Sequence, residues 1–240
     1  MGIPVDAKIY VAGHDSLIGA VLCRKLQTLG YRNIITRGPE DLDLRSQLAV
    51  HAFFEQELPD YVFIATLTCE HVLDNLLRPA ESFYGNLMAL SNIIHASYLY
   101  EVRKLLSIID SQFGLEALKY ETDDFTLRRY REESREADDL LRSVVAGLCD
   151  RYRQQYDCDF ISVAFHLEGT APASSTVDTT FPAPGHWADG PAVPDQGADP
   201  RHRGHLYSDD PADACLFLME NFSAVGPITV RTGSRGSGSA

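Results

Sequence analysis

Residues 8–20, Lys8-Ile9-Tyr10-Val11-Ala12-Gly13-His14-Asp15-Ser16-Leu17-Ile18-Gly19-Ala20, decide the fold. A β-branched and aromatic run enters a turn carrying Gly13 and Gly19, and helical spacing begins directly after it at Leu17, Val21, Leu22, Leu26 and Leu29. A strand that passes through a glycine-bearing turn into a helix is the opening unit of a dinucleotide-binding sheet, with the helix N-terminus facing a pyrophosphate. Gly13, Ser16 and Gly19 are therefore candidate cofactor-binding positions. Ser16 stands at the middle glycine position of such a turn, where a side chain crowds the pyrophosphate, and Asp15 adds negative charge beside it. A turn kept only to pack the strand against the helix fits the same residues.

Outward from this unit, apolar runs at 33–36, 61–65, 104–109 and 159–165 read as further strands. Leu87, Leu90, Ile93, Ile94 and Ala96 recur at helical spacing between two of them. Strands alternating with helices, joined by right-handed crossovers, predict an α/β protein with a Rossmann-like doubly wound parallel sheet. Arg37 ends the second strand, where a guanidinium meets an adenosine 2′-phosphate. From 122 to 156 Arg and Glu abound, while Ala137, Leu141, Val144, Val145, Leu148 and Tyr152 mark one apolar face of a long helix.

The chain divides by composition into a Rossmann-like domain over 1–168 and a Pro/Gly-rich loop over 169–204, where six prolines forbid regular structure over most of the stretch. A helix and strand over 205–232, with Ile228–Val230 as the strand, pack back on the core as a reduced C-terminal substrate region. The Gly-Ser-rich tail at 233–240 is expected to be disordered.

The 240 residues are 45% apolar and 23% charged, values of an ordinary globule of a size that buries a full core. Lys plus Arg number 21 against 34 Asp plus Glu, and the net charge of −13 repels a phosphate backbone, so no nucleic-acid partner is expected. No run of about 20 apolar residues predicts a membrane span, and the first residues lack a leader pattern, which makes the cytoplasm the expected location. Cys23, Cys69, Cys149, Cys158 and Cys215 show no zinc or redox spacing; they read as buried thiols, and no metal site is expected.

Several ordered fragments carry a resemblance: Lys8-Ile-Tyr-Val-Ala-Gly-His, Leu42-Asp-Leu, Pro59-Asp-Tyr-Val-Phe-Ile-Ala, Asn86-Leu-Met, Cys158-Asp-Phe-Ile-Ser-Val, and the stretch from Leu206 to Asn221. Together they resemble the GDP-L-fucose synthases, extended short-chain dehydrogenase/reductases of the nucleotide-sugar epimerase/dehydratase group. The resemblance implies NADP as cofactor where the family site is retained. It places Gly13, Ser16 and Gly19 in the cofactor turn, Arg37 at the NADP-selecting position, Asp43 and Leu44 along the adenine edge, and Ala65 and Thr66 along the cofactor. That family usually carries Arg where Asp15 stands, so one phosphate-binding charge is inverted.

The resemblance also implies a Ser or Thr that holds the substrate carbonyl, a Tyr that transfers a proton, and a Lys four residues later that lowers the Tyr pKa. In this chain those positions fall on Asp110, Asp138 and Arg142, with Gln112 at the family's Cys position and Ser111 shifted by one. An Asp paired with Arg is a poor proton donor at neutral pH, and Arg does not reproduce the geometry of Lys. A literal Tyr-x-x-x-Lys at Tyr100–Lys104 closes a helix and opens a strand. The histidines His186, His202 and His205 read as loop residues. The resulting expectation is a non-catalytic homologue that binds a small molecule or a protein partner, as a homo-oligomer or in complex with an active relative. One alternative is a repurposed non-redox acid/base enzyme, a dehydratase, isomerase or cyclase, using Asp110, Asp138, Arg142 and His166. The other is an NADP-dependent nucleotide-sugar epimerase/reductase with displaced catalytic groups.

Overall fold

Successive side chains along each strand point to opposite faces of a single sheet. The structure is a computed structural model that describes residues 2–65, 77–108, 135–166, 177–180, 210–223, 225–226 and 228–231. In chain order the elements are β1 (Ile9–Ala12), α1 (Leu17–Thr28), β2 (Ile34–Ile35), α2 (Gln47–Glu57), β3 (Tyr61–Ile64), α3 (Pro79–Leu99), β4 (Lys104–Ile108), α4 (Arg135–Tyr156), β5 (Phe160–His166), β6 (Val177–Thr180), α5 (Asp210–Asn221) and β7 (Ile228–Arg231). The sheet has seven strands in the order β2-β1-β3-β4-β5-β7-β6. Every pairing is parallel, with Ile9 opposite both Ile34 and Tyr61, and Leu105 opposite Phe160. The strands of β1, β3 and β4 are buried almost throughout, as a parallel sheet covered on both faces requires.

Ile9, Val11, Phe63, Leu106, Ile161, Val163 and Val230 meet α1 and α5 on one face, through Val21, Leu22, Leu26, Ala212, Cys215 and Leu218. Tyr10, Ala12, Val62, Ile64, Leu105 and Phe160 meet α2, α3 and α4 on the other, through Val50, Phe54, Ile93, Ile94, Leu141 and Val145. The doubly wound sheet expected from the sequence is the observed architecture.

One element was not foreseen, and two local expectations need correction. Helix α2 has no counterpart among the elements expected from the sequence: its buried Val50, Phe53 and Phe54 stand at i, i+3 and i+4, but that pattern occurs once, and Leu48 is 82% exposed. Its start is set by Ser46, whose Oγ accepts from Ala49 N at 3.3 Å. On α4 the covered stripe runs through Leu141, Val145 and Cys149, whereas Val144 turns outward. The Pro/Gly-rich 169–204 stretch contains strand β6, where Val177-Asp-Thr-Thr, rich in β-branched residues, pairs with β7. The described cysteines also divide: Cys149 and Cys215 are buried, while Cys23 and Cys158 are half-buried, and Cys69 lies outside the described residues.

At the amino end of the sheet a polar knot joins α5 to the core. Lys104 at the start of β4 is buried; its Nζ donates to Phe222 O at 2.5 Å and lies 3.4 Å from Asp159 Oδ2. Arg153 and Ser223 both bond Asp159 Oδ1, at 2.5 and 2.8 Å. Burial pulls the Lys104 ammonium below the ordinary lysine range, against the opposing pull of Asp159.

Candidate functional site

The strand order reverses at β1: β2 lies on one side of it and β3 on the other. In an open α/β sheet the crevice at such a reversal, outside the carboxyl ends of the strands, is where ligands bind. Here it is bounded by the turn after Ala12 and by Ala65 after Ile64.

Close packing sets the shape of the turn. Gly13 has φ +77°, a left-handed conformation that a Cβ disfavours. A Cβ added to Gly19 would lie 2.0 Å from Gly13 O and 2.9 Å from His14 Cα, so α1 begins hard against the turn. Ser16 caps α1: its Oγ accepts from Gly19 N at 3.0 Å and shares its proton between Gly13 O and Ala65 O, both at 2.7 Å. Its φ of −70° and ψ of 161° suit any L-residue, so a serine sits at the middle position without backbone strain. Ala65 N in turn donates to Ala12 O at 2.9 Å. The ends of β1 and β3 are thus bridged once by backbone and once by the Ser16 hydroxyl.

The side chain that the sequence sets against a pyrophosphate is therefore turned onto the end of β3. The amides of Leu17 and Ile18 precede the first helical bond of α1, from Ala20 N to Ser16 O at 2.9 Å, and form the positive end of the helix. Together with the two glycines they fit the pyrophosphate of a dinucleotide. Asp15 is exposed on the same turn, and His14 Nδ1 is buried with no hydrogen-bond partner among the described residues.

The remaining candidate residues are placed as follows. Arg37 Nη2 lies 2.5 Å from Glu57 Oε1, Nη1 donates to Thr36 O at 2.8 Å, and the guanidinium carbon stands 5.5 Å from the Phe53 ring centroid. Asp43 Oδ1 accepts from Arg45 N at 3.0 Å and Arg45 Nε at 2.9 Å, and this hydrogen bonding holds its carboxyl below the usual carboxylate range. Leu44 packs on the α2–α3–α4 face, and Asn92 Nδ2 ties Leu44 O to α3 at 2.9 Å. Arg142 lies one turn after Asp138 on α4 and makes a 2.9 Å ion pair with its neighbour Asp139. Asp110 and Thr66 lie outside the described residues, as do the side chains of Asp138 and His166 and the loop histidines.

The Tyr100-x-x-x-Lys104 motif falls at the amino end of the sheet, opposite the crevice, where Lys104 is held in the Phe222–Asp159 knot. Sequence reasoning missed Glu57, since seeing it requires α2, and Ser107, whose Oγ is fully buried on β4 with no hydrogen-bond partner among the described residues. Among the described residues no helix is long and apolar enough to cross a membrane, and no group of His, Cys, Asp and Glu is placed to hold a metal ion.

Comparison with known proteins places this geometry. The profile described as "NAD dependent epimerase/dehydratase family" matches residues 9–230. A protein of Arabidopsis thaliana named putative GDP-L-fucose synthase 2 is 32% identical over 242 residues, covering 95% of this chain and 72% of its own. The GDP-L-fucose synthase of Escherichia coli is 30% identical over 222 residues, covering 89% and 69%. Among solved structures, a GDP-D-glycero-L-gluco-heptose synthase from Campylobacter jejuni, crystallised in the presence of NADPH, superposes with a TM-score of 0.55 at 29% identity over 68% of this chain and 48% of its own. This chain thus spans about half of that protein. A GDP-L-fucose synthetase from Naegleria fowleri bound to NADP shares the fold, with a TM-score of 0.63 at 18% identity over 99% of this chain and 80% of its own. With a family match running from the first strand to the last, and relatives aligned over nearly its whole length, the chain belongs to the NAD-dependent epimerase/dehydratase family.

Proposed function

We propose that this chain binds a nicotinamide dinucleotide at the β1–α1 turn and acts on a nucleotide sugar, of the GDP-sugar kind, as an epimerase or reductase. The observation that carries this reading is the turn itself: Gly13 at positive φ, Gly19 with no room for a Cβ, and a Ser16 hydroxyl turned onto Ala65. The names of the relatives support the GDP-sugar class, and the two solved structures crystallised with NADPH or NADP support the cofactor. A bound dinucleotide supplies or accepts hydride. The chain's own part is to seat its pyrophosphate on the Leu17 and Ile18 amides and to hold the substrate against the carboxyl ends of β4 and β5.

A second reading, a binding protein without turnover, is favoured by the residues on α4. By the family resemblance Asp138 and Arg142 fall at the proton-donor and lysine positions, and Arg142 is ion-paired to Asp139. General acid catalysis typically contributes about 10²–10⁴-fold, so the two readings differ in one assay. NADPH oxidation is followed with GDP-4-keto-6-deoxymannose. Slow turnover that rises when Asp110→Ser, Asp138→Tyr and Arg142→Lys are introduced together supports the enzyme. Dinucleotide binding with no turnover in the wild type supports the second reading.

A further inference from the structure

Arg37 occupies the sequence position of a 2′-phosphate ligand, yet its guanidinium is engaged elsewhere. It lies along the last turn of α2, over Phe53 and against Glu57, with side chains 35% and 19% exposed in the ion pair. Helix α2 ends at the amino side of the sheet: Glu57 O accepts from Lys8 Nζ at 2.7 Å, and Lys8 precedes β1. The ligand crevice is at the opposite, carboxyl side. A 2′-phosphate that recruits Arg37 has to compete with the Glu57 carboxylate for the guanidinium. Asp15, exposed on the turn itself, adds negative charge.

We propose that Glu57 is a specificity-determining residue: by holding the Arg37 guanidinium against α2 it removes the preference for a 2′-phosphorylated dinucleotide, so that NADH binds at least as tightly as NADPH. This inference rests on the reading of the β1–α1 turn as a dinucleotide site. Glu57→Gln keeps the size of the side chain and the backbone carbonyl that Lys8 uses while removing the charge that competes with phosphate.

The test is a fluorescence titration of the full chain with NADH and NADPH. The wild type is expected to bind NADH as tightly as NADPH or more so. Glu57→Gln is expected to tighten NADPH about fivefold, the scale of a partly exposed ion pair, with NADH changed less than twofold. Adding Arg37→Ala to Glu57→Gln should return NADPH to its wild-type affinity, a reversal that a merely structural role for Glu57 does not produce. A wild type that prefers NADPH tenfold, or a Glu57→Gln variant that binds it no better, overturns the inference and leaves the cofactor site standing. Failure of both dinucleotides to bind either protein overturns the inference and the cofactor reading together.

Discussion

Replacing Gly19 by alanine puts the packing of the β1–α1 turn to a quantitative test. The new Cβ would lie 2.0 Å from Gly13 O, 2.8 Å from Gly13 C and 2.9 Å from His14 Cα, all backbone atoms. Either α1 or the turn must move by about an ångström before the first contact reaches even 3.0 Å. Helix α1 is pinned by Val21, Leu22 and Leu26, which are 2%, 0% and 0% exposed, so the movement disturbs the core as well. Overpacking of this kind costs about 3 kcal/mol, partly offset by the roughly 1 kcal/mol that alanine gains over glycine in a helix. The matched control is Gly147→Ala on α4, where an added Cβ meets nothing within 4 Å. That change stabilises by about 0.5–1 kcal/mol. Urea unfolding of the two variants beside the wild type should therefore show midpoints displaced in opposite directions. Equal midpoints for the two variants would refute the packing argument.

Further outcomes follow from the same contacts. Ser16→Ala removes the cap and the bridge to Ala65 O, and should destabilise by about 1–2 kcal/mol in the same assay, with Ser16→Thr recovering part of the loss. Lys104→Met leaves Phe222 O without its buried donor and should cost about 1–3 kcal/mol. Because burial depresses the Lys104 pKa in the fold, the unfolded chain binds more protons between that depressed value and the ordinary lysine value. The lysine's contribution therefore grows as pH rises through that window, and the stability gap between wild type and Lys104→Met should widen with it in alkaline denaturation series. Burial pushes the Cys149 thiol up to about 12 and the Cys215 thiol higher still, so thiol labelling followed by mass spectrometry should modify Cys23 and Cys158 first and leave those two until the chain unfolds.

The fold could be read from the chain because its strands are short, apolar and bounded by turn residues, and because Gly13 and Gly19 mark a close approach of strand and helix. Helix α2 escaped because the helical spacing of Val50, Phe53 and Phe54 occurs only once in an 11-residue element, and β6 because four β-branched-rich residues are hidden among prolines. At the site, the glycine turn was legible, but the direction of the Ser16 side chain was not. Whether a hydroxyl faces a ligand or a neighbouring carbonyl depends on Ala65, 49 residues away in the chain. Arg37 shows the same limit. Its position at the end of β2 pointed to phosphate, while its partner Glu57 is supplied by a helix that periodicity did not disclose. Arg142 is paired with Asp139, at i and i+3 on the helix, while the Asp138 side chain lies outside the described residues.

Hydrogen–deuterium exchange with and without a saturating nicotinamide dinucleotide tests the central claim most directly, because it reports where the ligand sits and not only whether it binds. The account predicts slowed exchange concentrated in the peptide spanning Gly13 to Ala20, whose Leu17 and Ile18 amides receive the pyrophosphate, and in the segment ending at Ala65. Saturable binding that leaves the 13–20 amides unchanged, or no binding of NADH or NADPH at all, would contradict it.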